Sequence, residues 1–422
     1  MASADSGLPS LRDGRPLRLL LLNESLYPDH AGGIESRNHE IALALAERGH
    51  RVTLAGFGRQ RVAEEASEGG AAARVERLLL GDPRALYRSD SRRSHRRALG
   101  FALRSLAIGP GRFDVVETAS MPFFHLPGLS AACRLAGVPL LVVWYEVWGA
   151  YWKTYMGATR APVYRVLERA AARLGRRVAA TSSLGRERLA RLRPQRAGDE
   201  VAFAPCGVDL AAVQRAVDEA ALAPPGPPIV VAGRLLAHKR VDLLIDALPH
   251  LGEVADGRRG GRRAPALPLV AIFGDGPERS RLEARAAALG VRDRIVFHGT
   301  VDSLAAVWRG FGAAQIAVHP STREGFGLVP LEAMAAGLPV VHCRSQESAV
   351  SELVRDGVEG RMTEASAPAL AAAIREVLAD EPRRLELAAA ARRRAAAYAW
   401  GRLAVDYENL LRGLADARER PD

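Results

Sequence analysis

The chain has 422 residues, of which 48% are hydrophobic and 25% are charged, and its formal net charge at pH 7 is +11. This length accommodates two domains with separate cores, and the composition is typical of soluble globular proteins. Nearly all the positive charge comes from arginines spread along the chain, since Lys153 and Lys239 are its only lysines. No nucleic-acid-binding motif accompanies the charge, so we interpret it as a compositional bias and predict no nucleic-acid partner.

Cysteine usage and hydrophobicity favour a cytoplasmic protein. Cys133, Cys206 and Cys343 lie far apart and form no C-x-x-C pair, which predicts neither a disulfide framework nor a zinc site. The first residues are polar and lack the apolar core of a signal peptide. No run approaches the ~20 apolar residues that span a bilayer. We therefore expect a cytoplasmic location, with peripheral attachment to the inner face of the membrane left open.

The chain begins with a predicted disordered lead-in, residues 1–16, followed by a βαβ unit. Leu17–Asn23 is a predicted strand, Ile34–Arg48 a helix and Arg51–Gly56 a second strand. Short apolar runs and amphipathic helical stretches then alternate along the chain, which predicts an α/β protein with parallel sheets.

A glycine pair stands before the first helix. In doubly wound sheets, ligands bind at the carboxyl ends of strands beside such turns. Gly32 and Gly33 are therefore candidates for approaching the diphosphate and transferred group of a ligand, although two glycines can equally make only a sharp bend. The dinucleotide pattern G-x-G-x-x-G is absent.

The segment 84–112 is strongly basic. Its second part alternates arginines with Leu, Phe and Ile at helical spacing, and such a helix can lie on a membrane surface. A connecting helix with a solvated arginine face has the same pattern, so both interpretations stay open.

Two further strands, Phe113–Thr118 and Pro139–Trp144, end in polar or aromatic residues. The second leads into WYEVWGAYWKTY, whose rings can stack on a sugar or pack against the next helix. Tyr145, Glu146 and Trp148 are the acceptor-side candidates. Glu117 and Glu146 are the carboxylates available as nucleophiles.

The rest of the chain divides into domains as follows. The first domain, 17–210, ends with helices in 161–194 around a strand at 178–183 and with a last strand at Val201–Asp209. The proline-dense stretch ALAPPGPP marks 211–228 as a linker. A second βα series in 229–397 has predicted strands and helices at Ile229–Ala232, Arg240–Leu251, Leu269–Phe273, Glu278–Leu289, Arg294–His298 and Gln315–His319. The tail, 398–422, is a predicted helix with one apolar side.

The segment Pro320–Val341 places two carboxylates, Glu324 and Glu332, across a glycine-rich bend. The predicted order is loop, then a helix with Pro330 in its first turn, and then a strand from Val340. A helix N-terminus carries partial positive charge and free N–H groups, which suit a phosphate.

The stretch EGFGLVPLEAMAAGLPVV resembles the signature of the retaining nucleotide-sugar glycosyltransferases of family 4. GRLLAHKR and YPDHAGGIESRNHEIALALAERGHRVTL resemble the same family. The resemblance implies the GT-B fold, with two Rossmann-like doubly wound α/β domains facing a central cleft. It also implies that the helix at 398–422 crosses back onto the N-terminal, acceptor-binding domain.

The resemblance also implies a site. Glu324, Arg234 and Lys239 would be catalytic, with the two cations on the donor diphosphate, Glu324 on the donor sugar and Glu332 on the ribose. Gly299, Thr300 and Val301 would frame the base. The full implied donor-binding set is Gly32, Gly33, Arg234, Lys239, Thr300, Val301, Glu324, Gly325, Phe326, Gly327 and Glu332.

Relatives often carry a His where this chain has Tyr145, which leaves the sugar contact of that segment open. No D-x-D motif or ligand cluster is present, so we predict no metal and no cofactor, with charge neutralised by fixed cations. The predicted reaction is metal-independent retaining transfer from a nucleotide-diphosphate sugar to an unknown acceptor, which could be a lipid, a polysaccharide or a small metabolite. A nucleotide-sugar epimerase and a non-catalytic nucleotide-sugar binding protein are the alternatives.

Overall fold

The computed structural model describes residues 14–29, 32–59, 75–82, 94–193, 200–255, 269–301 and 303–419. The chain divides into two compact units. The first joins Met1–Cys206 to Trp400–Asp422, and the second is Gly207–Ala399. Of the predictions above, most of the lead-in 1–16 and residues 84–93 of the basic segment lie outside the described ranges.

The first unit is built on a parallel sheet. Its strands are β1 (Arg18–Ser25), β2 (Arg51–Phe57), β3 (Val75–Gly81), β4 (Val115–Ala119), β5 (Leu140–Trp144), β6 (Arg177–Ala180) and β7 (Ala202–Phe203). They lie in the order β3-β2-β1-β4-β5-β6-β7, so the chain extends the sheet first to one side of β1 and then to the other. The central strands are nearly continuous apolar runs because helices cover both faces of a parallel sheet.

Helices and short 3-10 turns connect these strands. The helices are α1 (Gly33–Glu47), α2 (His95–Ser105), α3 (Leu126–Leu135), α4 (Trp152–Met156), α5 (Ala161–Ala171) and α6 (Ser183–Leu192). The 3-10 turns are Leu106–Ile108, Pro110–Arg112, Phe123–His125 and Gly149–Tyr151.

The second unit repeats the plan with a six-stranded parallel sheet. Its strands are β8 (Ile229–Ala232), β9 (Val270–Phe273), β10 (Ile295–Gly299), β11 (Ile316–His319), β12 (Val340–Cys343) and β13 (Gly360–Thr363). The order is β10-β9-β8-β11-β12-β13, so β8 and β11 are neighbours at the point where the chain changes direction across the sheet.

The second unit's helices are α7 (Leu210–Ala221), α8 (Val241–Ala247), α9 (Arg279–Ala288), α10 (Leu304–Gly312), α11 (Leu328–Ala335), α12 (Val350–Leu353), α13 (Ala367–Ala379) and α14 (Glu381–Ala396). Its 3-10 turns are Ala237–Lys239, Leu248–Ala255 and Arg292–Arg294.

The last helix, α15 (Trp400–Glu419), belongs to the first unit, as predicted for the tail. Trp400, Tyr407 and Leu411 are buried in the core that also contains β1 and α1 residues. A hydrophobic stripe at helical spacing is therefore what attaches the end of the chain to the first domain.

The structure differs from the prediction around 201–228. The strand β7 has two residues rather than nine, and Asp209, the end of the predicted strand, instead caps α7 by accepting the backbone N–H of Ala212 at 2.9 Å. Most of the predicted linker is α7, whose Val213 and Ala216 are buried within the second unit. The strand β3 was not predicted.

Candidate active site

The second sheet has a topological switch point between β8 and β11. The strands β9 and β10 continue on one side of β8, while β11 to β13 continue on the other. In open α/β sheets, ligands bind at the carboxyl ends of the strands beside such a switch point. Lys239 follows β8 and Glu324 follows β11, so the fold brings two predicted site residues to the same edge.

A backbone carbonyl ties these two loops together. The His238 carbonyl oxygen accepts the backbone N–H of Thr322 at 3.0 Å and the hydroxyl of Ser321 at 3.2 Å. The turn Ala237–Lys239 is thereby fixed against the loop that carries Glu324. These contacts position the Lys239 side chain without using its ammonium group.

Glu324 and Lys239 form an ion pair, with Lys239 Nζ 2.5 Å from Glu324 Oε2. His319, the last residue of β11, places Nε2 3.3 Å from the same oxygen. Burial raises the pKa of Glu324, but Lys239 and His319 outweigh burial and hold that pKa well below its usual range. The carboxylate is therefore ionised at neutral pH and acts only as a hydrogen-bond acceptor.

The backbone of Glu324 is held on a second side. Its N–H donates to the Glu347 carbonyl at 3.2 Å, and its own carbonyl accepts the Ala349 N–H at 2.9 Å. The neighbouring Arg323 is buried and pairs with the Glu347 carboxylate at 2.7 Å. The Glu324 carboxylate thus stands on a fixed support, which preorganises it for a ligand.

The glycine-rich loop and helix follow the predicted order. Gly327 precedes α11 with a φ of 106°, a left-handed conformation that favours glycine, and the Leu331 N–H donates to its carbonyl at 3.1 Å. Phe326 is mostly buried, with its ring edge-on to Tyr398. Glu332 lies within α11 and is half-buried. The helix α11 therefore begins at Leu328, three residues after Gly325.

The other predicted donor residues lie at the same sheet edge. Arg234 is exposed two residues after β8. The loops after β8, β9 and β10 touch through their backbones, because Gly233 N–H donates to Phe273 and Gly274 N–H donates to Gly299. A Cβ at Gly274 would lie 2.1 Å from the Gly233 carbonyl oxygen, so this approach requires glycine. Thr300 and Val301 directly follow the last of these contacts.

In the first unit, Gly32 caps α1 and Gly33 is its first residue. Both therefore lie in the connection after β1, beside the switch point between β1 and β4. The Gly32 carbonyl accepts the Ser36 N–H at 2.9 Å. The donor role of Gly32 and Gly33 remains a prediction.

The acceptor-side candidates have different surroundings. The Tyr145 hydroxyl donates to Asn38 Oδ1 at 3.0 Å, and burial raises the pKa of Tyr145 well above its ordinary value. Trp148 is half-buried and packs on Trp152 with ring centroids 4.6 Å apart. Glu146, which directly follows Tyr145 in the sequence, is half-buried. Packing thus accounts for much of this aromatic segment, and its contact with an acceptor stays a prediction.

A buried polar network in the first unit was not predicted. Arg37 Nη1 lies 2.9 Å from Glu117 Oε1, and the Tyr407 hydroxyl donates to Glu117 Oε2 at 2.5 Å. Burial and the neighbouring Glu117 raise the pKa of Tyr407 well above its ordinary value, so this hydroxyl stays protonated. Both oxygens of Glu117 are engaged, which joins α1, β4 and α15. The only feature of the sequence that pointed to this network was the position of Glu117 near the end of a predicted strand.

A second buried histidine makes the fold sensitive to acid. His342 lies beside His319 in the sheet and contacts the Val354 carbonyl through Nε2 at 3.2 Å. Burial, with a smaller contribution from His319, lowers the pKa of His342 to about 4. Because the unfolded histidine binds its proton near pH ~6.5, the stability that His342 contributes is present above that pH and lost as pH falls toward 4.

We expect acidification from pH 7 to pH 5 to cost about 2 kcal/mol through His342. The resulting fall in melting temperature should be smaller in His342→Gln than in the wild type by roughly 4–8 °C. The exposed His250 supplies the control His250→Gln, which should keep the wild-type pH response. Equal pH responses in all three proteins would contradict this assignment.

Two features are absent from the described ranges. No group of three or more His, Cys, Asp or Glu residues there could hold a metal ion. Within the same ranges, no helix combines the length and apolar character needed to cross a membrane.

Comparison with solved structures defines the fold class. Anabaena HepE in complex with UDP and glucose matches with a TM-score of 0.67 at 19% identity, over 94% of this chain and 100% of that one. WaaG, a glycosyltransferase involved in lipopolysaccharide biosynthesis, matches with a TM-score of 0.67 at 20% identity, over 94% and 100%. The fold is the GT-B fold of glycosyltransferases, which confirms the predicted fold class.

Sequence comparison defines the family. The model for Glycosyltransferase Family 4 matches residues 31–212, and the model for Glycosyl transferases group 1 matches residues 215–394. The chain belongs to the family 4 glycosyltransferases, as the resemblance of its motifs implied.

Two curated relatives illustrate the similarity. The D-inositol 3-phosphate glycosyltransferase of Geodermatophilus obscurus is 42% identical over 178 residues, which cover 41% of this chain and 37% of the relative. The GDP-mannose-dependent alpha-(1-6)-phosphatidylinositol monomannoside mannosyltransferase of Mycolicibacterium smegmatis is 33% identical over 207 residues, 46% of this chain and 50% of the relative. The matched regions therefore span half or less of these relatives.

Proposed function

We propose that this protein transfers a sugar from a nucleotide-diphosphate sugar to an acceptor hydroxyl, with retention of configuration and without a metal ion. The observation that carries the proposal is the pairing of Lys239 with ionised Glu324 at the switch point of the second sheet. An ionised carboxylate held by a cation at this edge suits a ligand that presents both hydroxyls and phosphates.

Each side chain has a role that follows from its chemistry. The contacts of Lys239 and His319 with Glu324 both fall on Oε2, so Oε1 can accept a hydroxyl of the donor sugar. Lys239 and Arg234 would bind the diphosphate, where negative charge develops as the glycosidic bond breaks. Backbone N–H groups from Gly325 to the start of α11 would add to this positive potential.

The nucleoside would occupy the neighbouring loops. Glu332 would accept the ribose hydroxyls, and Thr300 and Val301 would frame the base. The backbone contacts among the loops after β8, β9 and β10 support this placement, because they hold these residues at the same edge of the sheet as Arg234.

Front-side displacement is the mechanism that we favour for retention. Glu117, one of the two carboxylates considered as a nucleophile, has both oxygens engaged by Arg37 and Tyr407. In the proposed step, the bond from the anomeric carbon to the diphosphate oxygen breaks as the bond to the acceptor oxygen forms. The acceptor proton passes to the departing phosphate oxygen. A trapped glycosyl adduct on Glu146 would overturn this mechanism.

The names of the relatives guide the choice of acceptors to test. One is named for D-inositol 3-phosphate and another for a phosphatidylinositol mannoside. The proposed acceptor panel therefore contains both polyol phosphates and lipid-linked glycans. A cytoplasmic setting is part of the proposal, supported by Cys133, Cys206 and Cys343, which are all free and buried.

The test combines donor binding with turnover. The nucleotide-diphosphate sugar that is the donor should raise the melting temperature, since binding stabilises the fold by about 2.7 kcal/mol at ~100 times its Kd. Turnover with that donor and an acceptor panel should persist in EDTA. Loss of turnover in EDTA that manganese restores would refute metal independence. Formation of an epimer from the donor alone would instead indicate an epimerase.

A further inference from the structure

Two helices of the first unit present apolar side chains to solvent. Leu99, Leu103 and Leu106 are spaced by four and three residues and share the outer face of α2 and the turn after it, while the opposite face enters the core. On α5, Val163 and Val166 are likewise exposed, and Phe124 joins them from the turn between β4 and α3. The exposed fractions of these six residues run from 39% for Phe124 to 64% for Leu103.

Contacts through His95 join α2 to α5 and to the turn that carries Phe124. His95 Nε2 lies 2.6 Å from the Tyr164 hydroxyl on α5, and its ring meets Phe124 edge-on with centroids 6.5 Å apart. At the other end, the Leu106 side chain lies over Gly128 of α3. The first turns of α2 and α5 are therefore neighbours. We define the α2–α5 surface as Leu99, Leu103, Leu106, Phe124, Val163 and Val166.

The exposed charged residues of α2, α5 and their flanking turns are all basic. Residues 94–112 contain no acidic residue, and residues 152–173 contain only Glu168. Glu168 is buried, and its carboxylate accepts the backbone N–H groups of Trp148 and Gly149 at 2.7 and 2.9 Å. The exposed cations on these two segments are Arg96, Arg104, Arg112, Lys153, Arg160, Arg165, Arg169 and Arg173.

We propose that the α2–α5 surface docks on an anionic lipid bilayer. Leucine, valine and phenylalanine side chains would enter the boundary between headgroups and acyl chains, while the surrounding guanidinium groups bind lipid phosphates. Binding then requires both apolar burial and negative lipid charge. A second copy of this chain fits less well, because a two-fold contact would place the same positive rim on both sides.

The surface also lies near the predicted acceptor side of the fold. Phe124 follows β4, and α5 follows the aromatic segment after β5, so both stand close to the carboxyl edge of the first sheet. Membrane docking would bring a lipid-linked acceptor to this edge. The docking proposal does not depend on the transfer reaction, since it is tested without donor or acceptor.

The test measures sedimentation of the full-length protein with vesicles. We expect binding to phosphatidylcholine vesicles that contain phosphatidylglycerol, little binding to phosphatidylcholine alone, and weaker binding at high salt. The double variant Leu99→Ser/Leu103→Ser should lower the partition coefficient roughly tenfold. Arg165→Gln/Arg169→Gln should lower it for anionic vesicles and reduce its salt dependence. The matched control is Leu385→Ser, which changes an exposed leucine on α14 of the second unit.

Several outcomes would overturn the proposal. Absence of binding to either vesicle at low salt would do so, as would equal binding by the surface variants and Leu385→Ser. Sedimentation velocity tests the remaining alternative, which is dimerisation through the α2–α5 surface. A wild-type dimer that dissociates in Leu99→Ser/Leu103→Ser would assign the surface to a second copy of this chain and overturn the proposal. Unchanged melting temperatures would show that the variants remain folded, as expected for exposed side chains.

Discussion

Replacing Glu324 by glutamine is expected to lower kcat/KM for sugar transfer by roughly 10²–10³-fold while leaving the protein folded. Glutamine keeps the size of the side chain but removes the negative charge. That charge strengthens hydrogen bonds from sugar hydroxyl groups and neutralises Lys239. Glu324→Ala and Lys239→Ala should abolish measurable transfer, because the first removes the carboxylate and the second removes the cation that pairs with it. Transfer assays over a range of donor concentrations would measure these losses.

The control for this series is Glu364→Gln. Glu364 belongs to the same unit, is largely exposed and pairs only at the surface with Arg344, so its loss should change kcat/KM by less than about twofold. Circular dichroism and melting curves would establish that each variant is folded. Wild-type-like turnover by Glu324→Ala and Lys239→Ala together would refute the proposed site.

His319 should give an intermediate effect in the same assay. Its Nε2 approaches the Glu324 oxygen that Lys239 also contacts, so it positions the carboxylate and favours its ionised form. His319→Ala should therefore lower kcat/KM less than Glu324→Gln does. His319→Gln, which retains a donor, should recover part of the loss.

The second large effect is expected on stability. Glu117→Ala should destabilise the first unit by about 3–5 kcal/mol, because it leaves the buried Arg37 guanidinium without its carboxylate. For a domain of this size, that corresponds to a fall in melting temperature of roughly 10 °C. Tyr407→Phe removes only the hydroxyl contact and should cost about 1–2 kcal/mol. Calorimetry or circular dichroism would measure both shifts.

Two comparisons make this second prediction specific. Glu187→Ala, at an exposed pair with Arg191 on α6, should change stability by less than about 0.5 kcal/mol. The double variant Arg37→Leu/Glu117→Leu should be less destabilised than the sum of its single variants, because it removes the unpaired charge that each single variant leaves. Wild-type stability of Glu117→Ala would contradict a structural role for the network.

Much of the second unit was predictable because its signals are local. The strand Ile229–Ala232 was predicted with its observed bounds, and the loop, helix and strand from Pro320 to Val341 appear in the predicted order. Apolar runs, a proline in a helix's first turn and a terminating glycine act within a few residues of where they stand. Their effects can therefore be identified before the rest of the fold is known.

In the first unit, the sequence did not predict which side chains contact each other. Glu117 stood at a predicted strand end and was a candidate nucleophile, but in the fold it bonds with Arg37, 80 residues away, and with Tyr407, 290 residues away. The aromatic segment around Trp148 had the spacing for either packing or ligand contact, and the structure shows ring packing. Sequence spacing along one element does not specify partners on other elements.

The sequence by itself determined the alternation of strands and helices, the family motifs and the chemical types of the candidate site residues. Only the tertiary structure decided which groups meet: Lys239 and Glu324 are 85 residues apart, and they join because β8 and β11 are adjacent in the sheet. The physical reason is that hydrophobic periodicity specifies which face of an element is buried, whereas strand order and register determine which polar groups become neighbours.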